Sequence, residues 1–418
     1  MEIAQLYNLY TQHCLVDIDT RNIRENTIFF ALKGDNFNGN SFAEEALKLG
    51  ANYAIVDEEV YQTQDAIILV PNVLETLQQL ANYHRKQLKA TIIGLTGSNG
   101  KTTTKELLFA VLSKKYKTIA TKGNLNNHIG VPLTLLSMPI DTEMGIVEMG
   151  ANHQKEIEFL SNICEPDFGY ITNFGKAHLE GFGGVEGVIK GKSELYQFLE
   201  QKNRIAFINP EDKIQVDKTK NITTIPFHLS IALKEANPFV QLSYDNLVIN
   251  SNLIGTYNCT NITIAITIGN YFNVEDDVIK EAIEGYESTN NRSQIINQNS
   301  NVIILDAYNA NPSSMKVALE NFYALKADHK IVILGDMFEL GDASLEEHQQ
   351  IVNVATQMNF NGYYFVGEHF YQTKENENLF KTFDDFKNDF ENNIPSNSSI
   401  LIKGSRGMRL ERVVELLK

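Results

Sequence analysis

One short segment, residues 91–112, constrains the fold of this chain more than any other. The apolar run from Thr91 to Thr96 predicts a buried strand. The stretch that begins at Lys101 predicts an amphipathic helix, with apolar residues at Leu107, Leu108, Val111 and Leu112. Because a strand that turns directly into a helix is the first half of a parallel crossover unit, the segment predicts an α/β fold.

The loop between this strand and helix carries glycines and a lysine, in the order Gly97-Ser98-Asn99-Gly100-Lys101-Thr102. Glycines let the backbone approach an anion, and a helix N-terminus directs unpaired N–H groups at it. Leu95 stands where a full Walker A motif has its first glycine, so the pattern is the shorter G-x-x-G-K-T. The loop predicts a nucleotide triphosphate site with these contact residues: Gly97, Ser98, Asn99, Gly100, Lys101, Thr102 and Thr103.

Composition narrows the class of partner. The formal net charge is −16, and 52 acidic residues outnumber 36 basic ones, which argues against a nucleic-acid surface. The three cysteines are widely spaced and odd in number, which favours reduced thiols and a cytoplasmic location. No apolar run approaches the ~20 residues needed to span a bilayer, so we expect no membrane insertion.

The succession of strand and helix patterns predicts three α/β domains. They are a small N-terminal domain at 1–88, a central domain at 89–289 with a parallel sheet around the phosphate loop, and a C-terminal Rossmann-like domain at 290–418. The predicted strands after the phosphate loop lie at 144–148, 168–173 and 204–208. The last predicted element is a helix over 407–417.

Polar side chains just after predicted strands are candidates for chemistry, because ligands of open parallel sheets bind beyond the carboxyl ends of the strands. Glu148 either holds Mg²⁺ or caps the next helix. His178 is either a ligand for a second cation or a structural hydrogen-bonding group. Lys190 and Lys192 lie on one predicted helix and point roughly 200° apart, so at most one of them faces the site.

Arg292 and Asp306 bracket the start of the predicted third domain. Either residue can reach a nucleotide across a domain cleft, or the two can form an ordinary ion pair with each other. The sequence leaves this choice open.

Six motifs together resemble the Mur ligase family of ATP-dependent cell-wall precursor ligases, and the resemblance covers essentially the whole chain. They are Thr-Gly-Ser-Asn-Gly-Lys-Thr-Thr (96–103), Glu-Met-Gly (148–150), Thr-Asn-Phe-Gly-Lys-Ala-His-Leu-Glu-Gly-Phe (172–182), Lys-Gly-Lys-Ser-Glu (190–194), Gly-Thr-Tyr-Asn-Cys-Thr-Asn (255–261) and Asp-Ala-Tyr-Asn-Ala-Asn-Pro (306–312). Four more segments resemble the branch that joins D-Ala-D-Ala to UDP-N-acetylmuramoyl-tripeptide: 123–132, 309–315, 335–341 and 403–411.

The resemblance implies a role for each nucleotide-site residue. Lys101 is expected to hold the β- and γ-phosphates, and Thr102 with Glu148 the first of two Mg²⁺ ions. His178 and Lys192 are expected to bind the second ion, with Lys192 carbamylated by CO₂. The implied catalytic residues are Lys101, His178 and Lys192. Three residues are expected around the nucleotide itself: Asn258 at the adenine, and Arg292 and Asp306 closing over ATP.

The resemblance also implies where the other substrates bind. The uridine diphosphate end is expected at Thr20, Arg21, Lys33 and Gly34. The peptide and the incoming dipeptide are expected near Asn127, Asn309, Asn311, Lys403 and Arg406. Relatives often have Asp-Gly-His where this chain has Asn38-Gly39-Asn40, and serine where it has Thr20, so the uridine contacts depart most from the family pattern.

The implied reaction converts a peptide carboxylate to an acyl phosphate, which the amine of D-Ala-D-Ala then attacks. We expect a monomer, since each of the three substrates has a domain of its own. Two alternatives stay open: the same chemistry with another acceptor, as in other Mur ligases or folylpolyglutamate synthases, and a non-catalytic nucleotide-binding switch. The chain contains no Asn-Lys-x-Asp guanine-reading motif.

Overall fold

The computed structural model describes residues 1–289, 291–374 and 378–418. Its first α/β unit has a parallel four-stranded sheet of order β1-β2-β5-β6 and a short β3-β4 hairpin. The strands are β1 (Val16–Asp17), β2 (Ile28–Phe30), β3 (Lys33–Gly34), β4 (Phe37–Asn38), β5 (Tyr53–Val56) and β6 (Ile67–Leu69). The helices are α1 (Ile3–His13), α2 (Ala43–Lys48) and α3 (Val73–Gln87).

The central unit is a six-stranded, all-parallel sheet of order β12-β11-β10-β7-β9-β8, with the phosphate-loop strand β7 inside it. Its strands are β7 (Thr91–Thr96), β8 (Thr118–Ala120), β9 (Met144–Glu148), β10 (Phe168–Ile171), β11 (Ile205–Ile208) and β12 (Thr223–Pro226). Its helices are α4 (Lys101–Leu112), α5 (Gly130–Leu136), α6 (Glu156–Cys164), α7 (Leu179–Phe182), α8 (Val185–Lys192), α9 (Glu194–Gln201), α10 (Lys213–Lys218), α11 (Tyr257–Tyr271) and α12 (Asp276–Glu284).

A three-stranded antiparallel sheet was missed by the sequence prediction. It consists of β13 (Ile231–Ala236), β14 (Phe239–Tyr244) and β15 (Leu247–Ile254). In β14 the residues Val240, Leu242 and Tyr244 are buried and alternate with more exposed neighbours. This alternation is the period-two signal of a half-buried strand, so the pattern was present in the sequence.

The third unit has a mixed sheet of order β16-β17-β21-β18-β19-β20, in which only the β16-β17 pair is antiparallel. The strands are β16 (Gln294–Gln298), β17 (Asn301–Asp306), β18 (Lys330–Gly335), β19 (Gly362–Val366), β20 (Leu379–Phe380) and β21 (Ser399–Lys403). The helices are α13 (Pro312–Ala324), α14 (Ser344–Gln357), α15 (Glu368–Tyr371), α16 (Phe383–Phe390) and α17 (Val413–Leu416). Asn290, the first residue of the predicted third domain, lies outside the described residues.

The predicted helix over 407–417 is wrong. The segment forms two 3₁₀ turns, Arg406–Met408 and Leu410–Arg412, followed by the four-residue helix α17. Arg409 has a φ of 51°, in the left-handed region, and therefore interrupts a continuous α-helix. The three short turns still bury apolar residues that suggested a helix, namely Leu410, Val413 and Leu417.

The mixed α/β architecture agrees with the predicted fold class, and two elements agree to the residue. Strands β7 and β9 have the predicted bounds. The cysteines are all free thiols. Among the described residues, no helix combines the length and apolar character that a membrane crossing requires.

Candidate active site

The phosphate loop joins β7 to α4, and its backbone is held in a shape that requires glycine. Gly97 has a φ of 139°, and a Cβ at this position would lie 2.0 Å from Thr172 Oγ1. Gly100 precedes α4 with a φ of 80°. The segment after β10 holds the loop from the side: the backbone N–H of Ser98 donates to the Asn173 carbonyl at 3.0 Å, and the Thr172 hydroxyl donates to the Asn99 carbonyl at 2.5 Å.

Lys101 folds back onto the loop that precedes it. Its Nζ donates to the Gly97 carbonyl at 2.7 Å and the Ser98 carbonyl at 3.3 Å. The pKa of Lys101 is lowered to about 8, chiefly by burial; nearby Glu148 opposes this shift and Arg292 adds to it. Because carbonyls bind an ammonium more weakly than phosphate oxygens do, this lysine can exchange them for a triphosphate.

Thr102 and Glu148 form a pair of oxygen groups at the start of α4. Both are buried, and the Thr102 hydroxyl donates to Glu148 Oε2 at 3.0 Å. Asn126 Nδ2 donates to Glu148 Oε1 at 2.8 Å, which orients the carboxylate. The predicted alternative, a helix cap, is not observed, since the residue that precedes α6 is Lys155. A hydroxyl and a carboxylate beside a phosphate loop fit Mg²⁺, which uses few protein ligands and keeps water and phosphate as the rest.

His178 lies in the segment between β10 and α7 and lines a cavity that the phosphate loop and Glu148 also line. Its Nδ1 forms a short hydrogen bond with the carboxylate of Glu339, which belongs to the third unit. This bond holds the pKa of Glu339 below its usual range. Within the described residues, no group of three or more His, Cys, Asp or Glu side chains forms a ready metal cage.

The two lysines of α8 differ as the helical period predicts. Lys190 is exposed, whereas Lys192 is 1 % exposed. Lys192 Nζ donates to the Ala151 carbonyl at 3.1 Å and lies 5.0 Å from the centre of the Phe182 ring. Burial lowers the pKa of Lys192 well below its usual value, and Lys101 adds to this effect. Lys192 does not itself line the cavity, although its partner Ala151 does.

The third unit forms the wall of the cavity that faces the phosphate loop. The ion pair between Arg292 and Asp306 that the sequence left open is not formed, because Lys403 Nζ contacts Asp306 Oδ2 at 2.5 Å. Arg292 instead stacks its guanidinium on the Tyr308 ring at 3.7 Å, and Arg406 approaches the same ring at 5.5 Å. The Nε of Arg292 is buried and makes no hydrogen bond with any described residue.

Asn258 enters the cavity from α11, where its side chain is already engaged. It donates to the Ile254 carbonyl at 2.8 Å and accepts from Asn261 at 2.7 Å. Asn261 in turn accepts from the Thr104 hydroxyl at 3.1 Å. The sequence prediction missed several polar lining residues, among them Asn126, Asp212, Asn261 and Tyr308. Asn126, Asn261 and Tyr308 lie inside the motifs that carried the resemblance, which was the available signal.

One cavity of about 880 Å³ lies between the central and third units. The predicted residues that line it are Ser98, Asn99, Gly100, Lys101, Thr102, Thr103, Asn127, Glu148, His178, Asn258, Arg292, Asp306, Asn309, Asn311 and Lys403. The predicted residues that do not are Gly97, Lys192, Arg406, Thr20, Arg21, Lys33 and Gly34.

The residues predicted for the uridine end lie in the first unit. Arg21 is exposed and pairs with Asp19 at 2.6 Å. Lys33 Nζ lies 2.9 Å from Asp57 Oδ1 at the β3-β4 hairpin. Asn40, from the segment that departs from the family pattern, donates to the same Asp57 oxygen at 2.9 Å.

Three family models match the chain in consecutive segments. They are described as the Mur ligase family catalytic domain at residues 14–85, the Mur ligase middle domain at 95–269, and the Mur ligase glutamate ligase domain at 291–406.

Individual relatives match over nearly the full length. The UDP-N-acetylmuramoyl-tripeptide–D-alanyl-D-alanine ligase of Bacillus subtilis (strain 168) is 34 % identical over 96 % of this chain and 92 % of its own. A MurF crystal structure from Acinetobacter baumannii is 30 % identical, with a TM-score of 0.83 over 96 % of this chain and 93 % of its own. MurF from Thermotoga maritima, solved with ADP, is 26 % identical, with a TM-score of 0.84 over 96 % of both chains. The chain therefore belongs to the Mur ligase family.

Proposed function

We propose that this protein joins D-alanyl-D-alanine to UDP-N-acetylmuramoyl-tripeptide, with cleavage of ATP to ADP and phosphate, in peptidoglycan precursor synthesis. The observation that carries the proposal is the shared cavity, in which the phosphate loop and Glu148 face Arg292 and Asp306 of the third unit. Two relatives that match over nearly the full length, and whose names state this activity, support it. A carboxylate is a poor electrophile, so transfer of the terminal phosphoryl group to it precedes attack by the amine.

Each nucleotide contact in this proposal has a structural reason. Lys101 and the N–H groups at the start of α4 bind the β- and γ-phosphates. The buried Nε of Arg292 has no hydrogen-bond partner among the described residues, and a phosphate oxygen would supply one. Asp306 contacts the nucleotide from the third unit. Asn258 contacts the adenine through the amide hydrogen and the oxygen lone pair that its bonds to Ile254 and Asn261 leave unused.

We assign two Mg²⁺ positions to the residues that fit them. Thr102 and Glu148 would hold the first ion, while His178 and a carbamylated Lys192 would hold the second. Mg²⁺ bound there would neutralise the crowded phosphate and carboxylate charges. Burial favours the neutral amine of Lys192, which can form an N–C bond with CO₂ and release one proton. The ¹³C NMR spectrum of protein equilibrated with ¹³C-bicarbonate tests this, since a carbamate signal present in the native chain and absent from Lys192→Met is expected.

The remaining substrates occupy two further regions in this proposal. The uridine diphosphate end binds the first unit at Thr20, Arg21, Lys33 and Gly34. The peptide and the dipeptide bind near Asn127, Asn309, Asn311, Lys403 and Arg406. Lys403 already pairs with Asp306, so its contribution to the dipeptide carboxylate depends on sharing its charge between two anions.

The third unit closes over the phosphate loop to keep water from the acyl phosphate, which hydrolyses when it is exposed. We further propose that the protein works as a monomer in the cytoplasm. ATP and the nucleotide-linked peptide are available there as substrates.

A substrate panel tests the proposed function. The purified protein is incubated with ATP and UDP-N-acetylmuramoyl-tripeptide together with D-Ala-D-Ala, with single amino acids, or with no acceptor, and release of ADP and phosphate is measured. We expect release only with D-Ala-D-Ala, and none from Lys101→Met. Turnover with another acceptor would assign the chain to another branch of the family, and ATP binding without turnover in any combination would favour a switch.

A further inference from the structure

The loop that follows β18 in the third unit is held at several successive residues. The backbone N–H of Met337 donates to Nε2 of the buried His348 at 3.0 Å. The next N–H, of Phe338, donates to the Ser405 hydroxyl at 3.0 Å. Asp336 accepts from the backbone N–H groups of His369 and Phe370 at 3.0 and 2.9 Å. Contacts within the third unit therefore hold the loop 336–341 in place. Neither the resemblance of this segment to one branch of the family nor the nucleotide site explains why the loop is held.

Glu339 lies at the tip of this loop in a strained conformation. Its φ of 61° falls in the left-handed region, which is unfavourable for a residue with a Cβ. Its carboxylate bonds to His178 Nδ1, and its carbonyl accepts from the backbone N–H of Glu180 at 3.3 Å. One residue of the third unit thus contacts the His178 segment through both its side chain and its backbone.

The same segment is attached to the third unit two residues before His178 as well. The backbone N–H of Lys176 donates to the Ser313 hydroxyl at 2.8 Å, and Lys176 Nζ contacts Glu347 Oε1 at 2.5 Å. The third unit therefore contacts this segment at Lys176, His178 and Glu180, whereas the Glu148 carboxylate is bonded by Thr102 and Asn126 of the central unit.

The chemistry of the bond specifies the imidazole. A carboxylate only accepts hydrogen bonds, so Nδ1 of His178 carries the hydrogen, and in the neutral imidazole Nε2 keeps the lone pair. A carboxylate that fixes the tautomer and the orientation of an imidazole in this way also increases its strength as a ligand.

We propose that Glu339 is a positioning residue for the reaction: by bonding His178 Nδ1 from the third unit, it orients the imidazole toward the cavity only when that unit is docked. The inference rests on the proposed function and deepens it, because it makes assembly of the second metal position depend on the domain that binds the dipeptide. A mere surface ion pair between the two units would contribute little to stability and would leave the reaction unaffected.

The experiment uses the full-length protein and three variants. Glu339→Ala removes the carboxylate, and Glu339→Gln keeps an oxygen that can accept from Nδ1. Glu346→Ala is the matched control, since it removes an exposed carboxylate of the same unit that accepts instead from Gln350 at 3.2 Å. Long-range ¹H–¹⁵N spectra of ¹⁵N-histidine-labelled, substrate-free protein report the tautomer at about pH 9, and His178→Ala identifies the signal. The kcat and the KM for ATP are measured in parallel.

The native chain is expected to show the Nδ1–H tautomer of His178, and Glu339→Ala a mixture. In Glu339→Ala the kcat should fall by about 10- to 100-fold with little change in the KM for ATP. Glu339→Gln should recover most of the tautomer and of the kcat, and Glu346→Ala should match the native chain. The inference is overturned if Glu339→Ala keeps either the native tautomer or the native kcat. If that variant does not fold, a mixture of tautomers in Glu339→Gln overturns the inference instead. The tautomer is read without substrates, so a native chain that lacks ligase activity would refute the proposed function separately.

Discussion

Asn311 of the third unit donates its Nδ2 to Oδ1 of Asn99, at the tip of the phosphate loop, over 2.7 Å. The two residues are 212 positions apart in the chain. Asn311 also begins α13, since its Oδ1 accepts from the backbone N–H of Ser314 at 2.9 Å. The residue that starts a helix of the third unit therefore also contacts the loop that binds phosphate.

The two roles of Asn311 can be separated by substitution. Asn311→Asp keeps an oxygen for the helix cap but cannot donate to Asn99 and places a negative charge near the triphosphate. We expect the KM for ATP to rise roughly tenfold, which corresponds to about 1.4 kcal/mol, with little change in melting temperature. Asn311→Ala should in addition lose about 1 kcal/mol of stability with the cap. A KM for ATP that is unchanged in both variants would contradict a role for this contact.

Lys101 should make ATP binding depend on pH. Its pKa in the nucleotide-free protein is about 8, chiefly because of burial. The cationic form binds phosphate, and it is lost as the pH rises through this value, so the ATP association constant should fall by up to about tenfold per pH unit above it. Titration calorimetry between neutral and alkaline pH measures this decline. Lys101→Met should bind ATP weakly at every pH without the step, and an equally steep decline in that variant would assign the titration to another group.

The lysines of α8 offer a matched pair. Lys192→Met keeps the volume of a buried side chain against Phe182 but removes the amine, and we expect kcat to fall on the order of 10²- to 10³-fold. ATP binding should be largely retained, because Lys192 does not line the cavity. Lys190→Met changes an exposed residue of the same helix and should have native kinetics. Native turnover by Lys192→Met would refute its role at the second metal position.

Gly97 should tolerate no side chain. A Cβ there would lie 2.0 Å from Thr172 Oγ1 and 2.9 Å from Thr172 N, at a φ of 139°. We expect Gly97→Ala to lower the free energy of unfolding by about 3 kcal/mol and to weaken ATP binding, because Thr172 also holds the Asn99 carbonyl. Gly34→Ala is the control, since nothing lies within 4 Å of its Cβ position, and its stability should change by at most about 0.5 kcal/mol. Differential scanning calorimetry compares the two variants.

The sequence was most informative where structure depends on neighbouring residues. The phosphate loop was predictable because strand, glycines and helix are consecutive, and the contrast between Lys190 and Lys192 followed from the helical period alone. The same reasoning failed over 407–417, where a helical pattern of apolar residues is buried by separate turns instead. Arg409 breaks the helix there, because its backbone lies in the left-handed region.

What the sequence by itself determined is most of the local elements, the phosphate-binding unit and the motifs that place the chain in its family. Only the tertiary structure decided which charges meet: Asp306 pairs with Lys403 and not Arg292, and His178 bonds to Glu339. Periodicity and backbone conformation act over a few residues, so they can be read along the chain. His178 meets Glu339 only when the third unit packs against the central one, and Lys403 reaches Asp306 only when β21 pairs with β17. No local pattern encodes either arrangement.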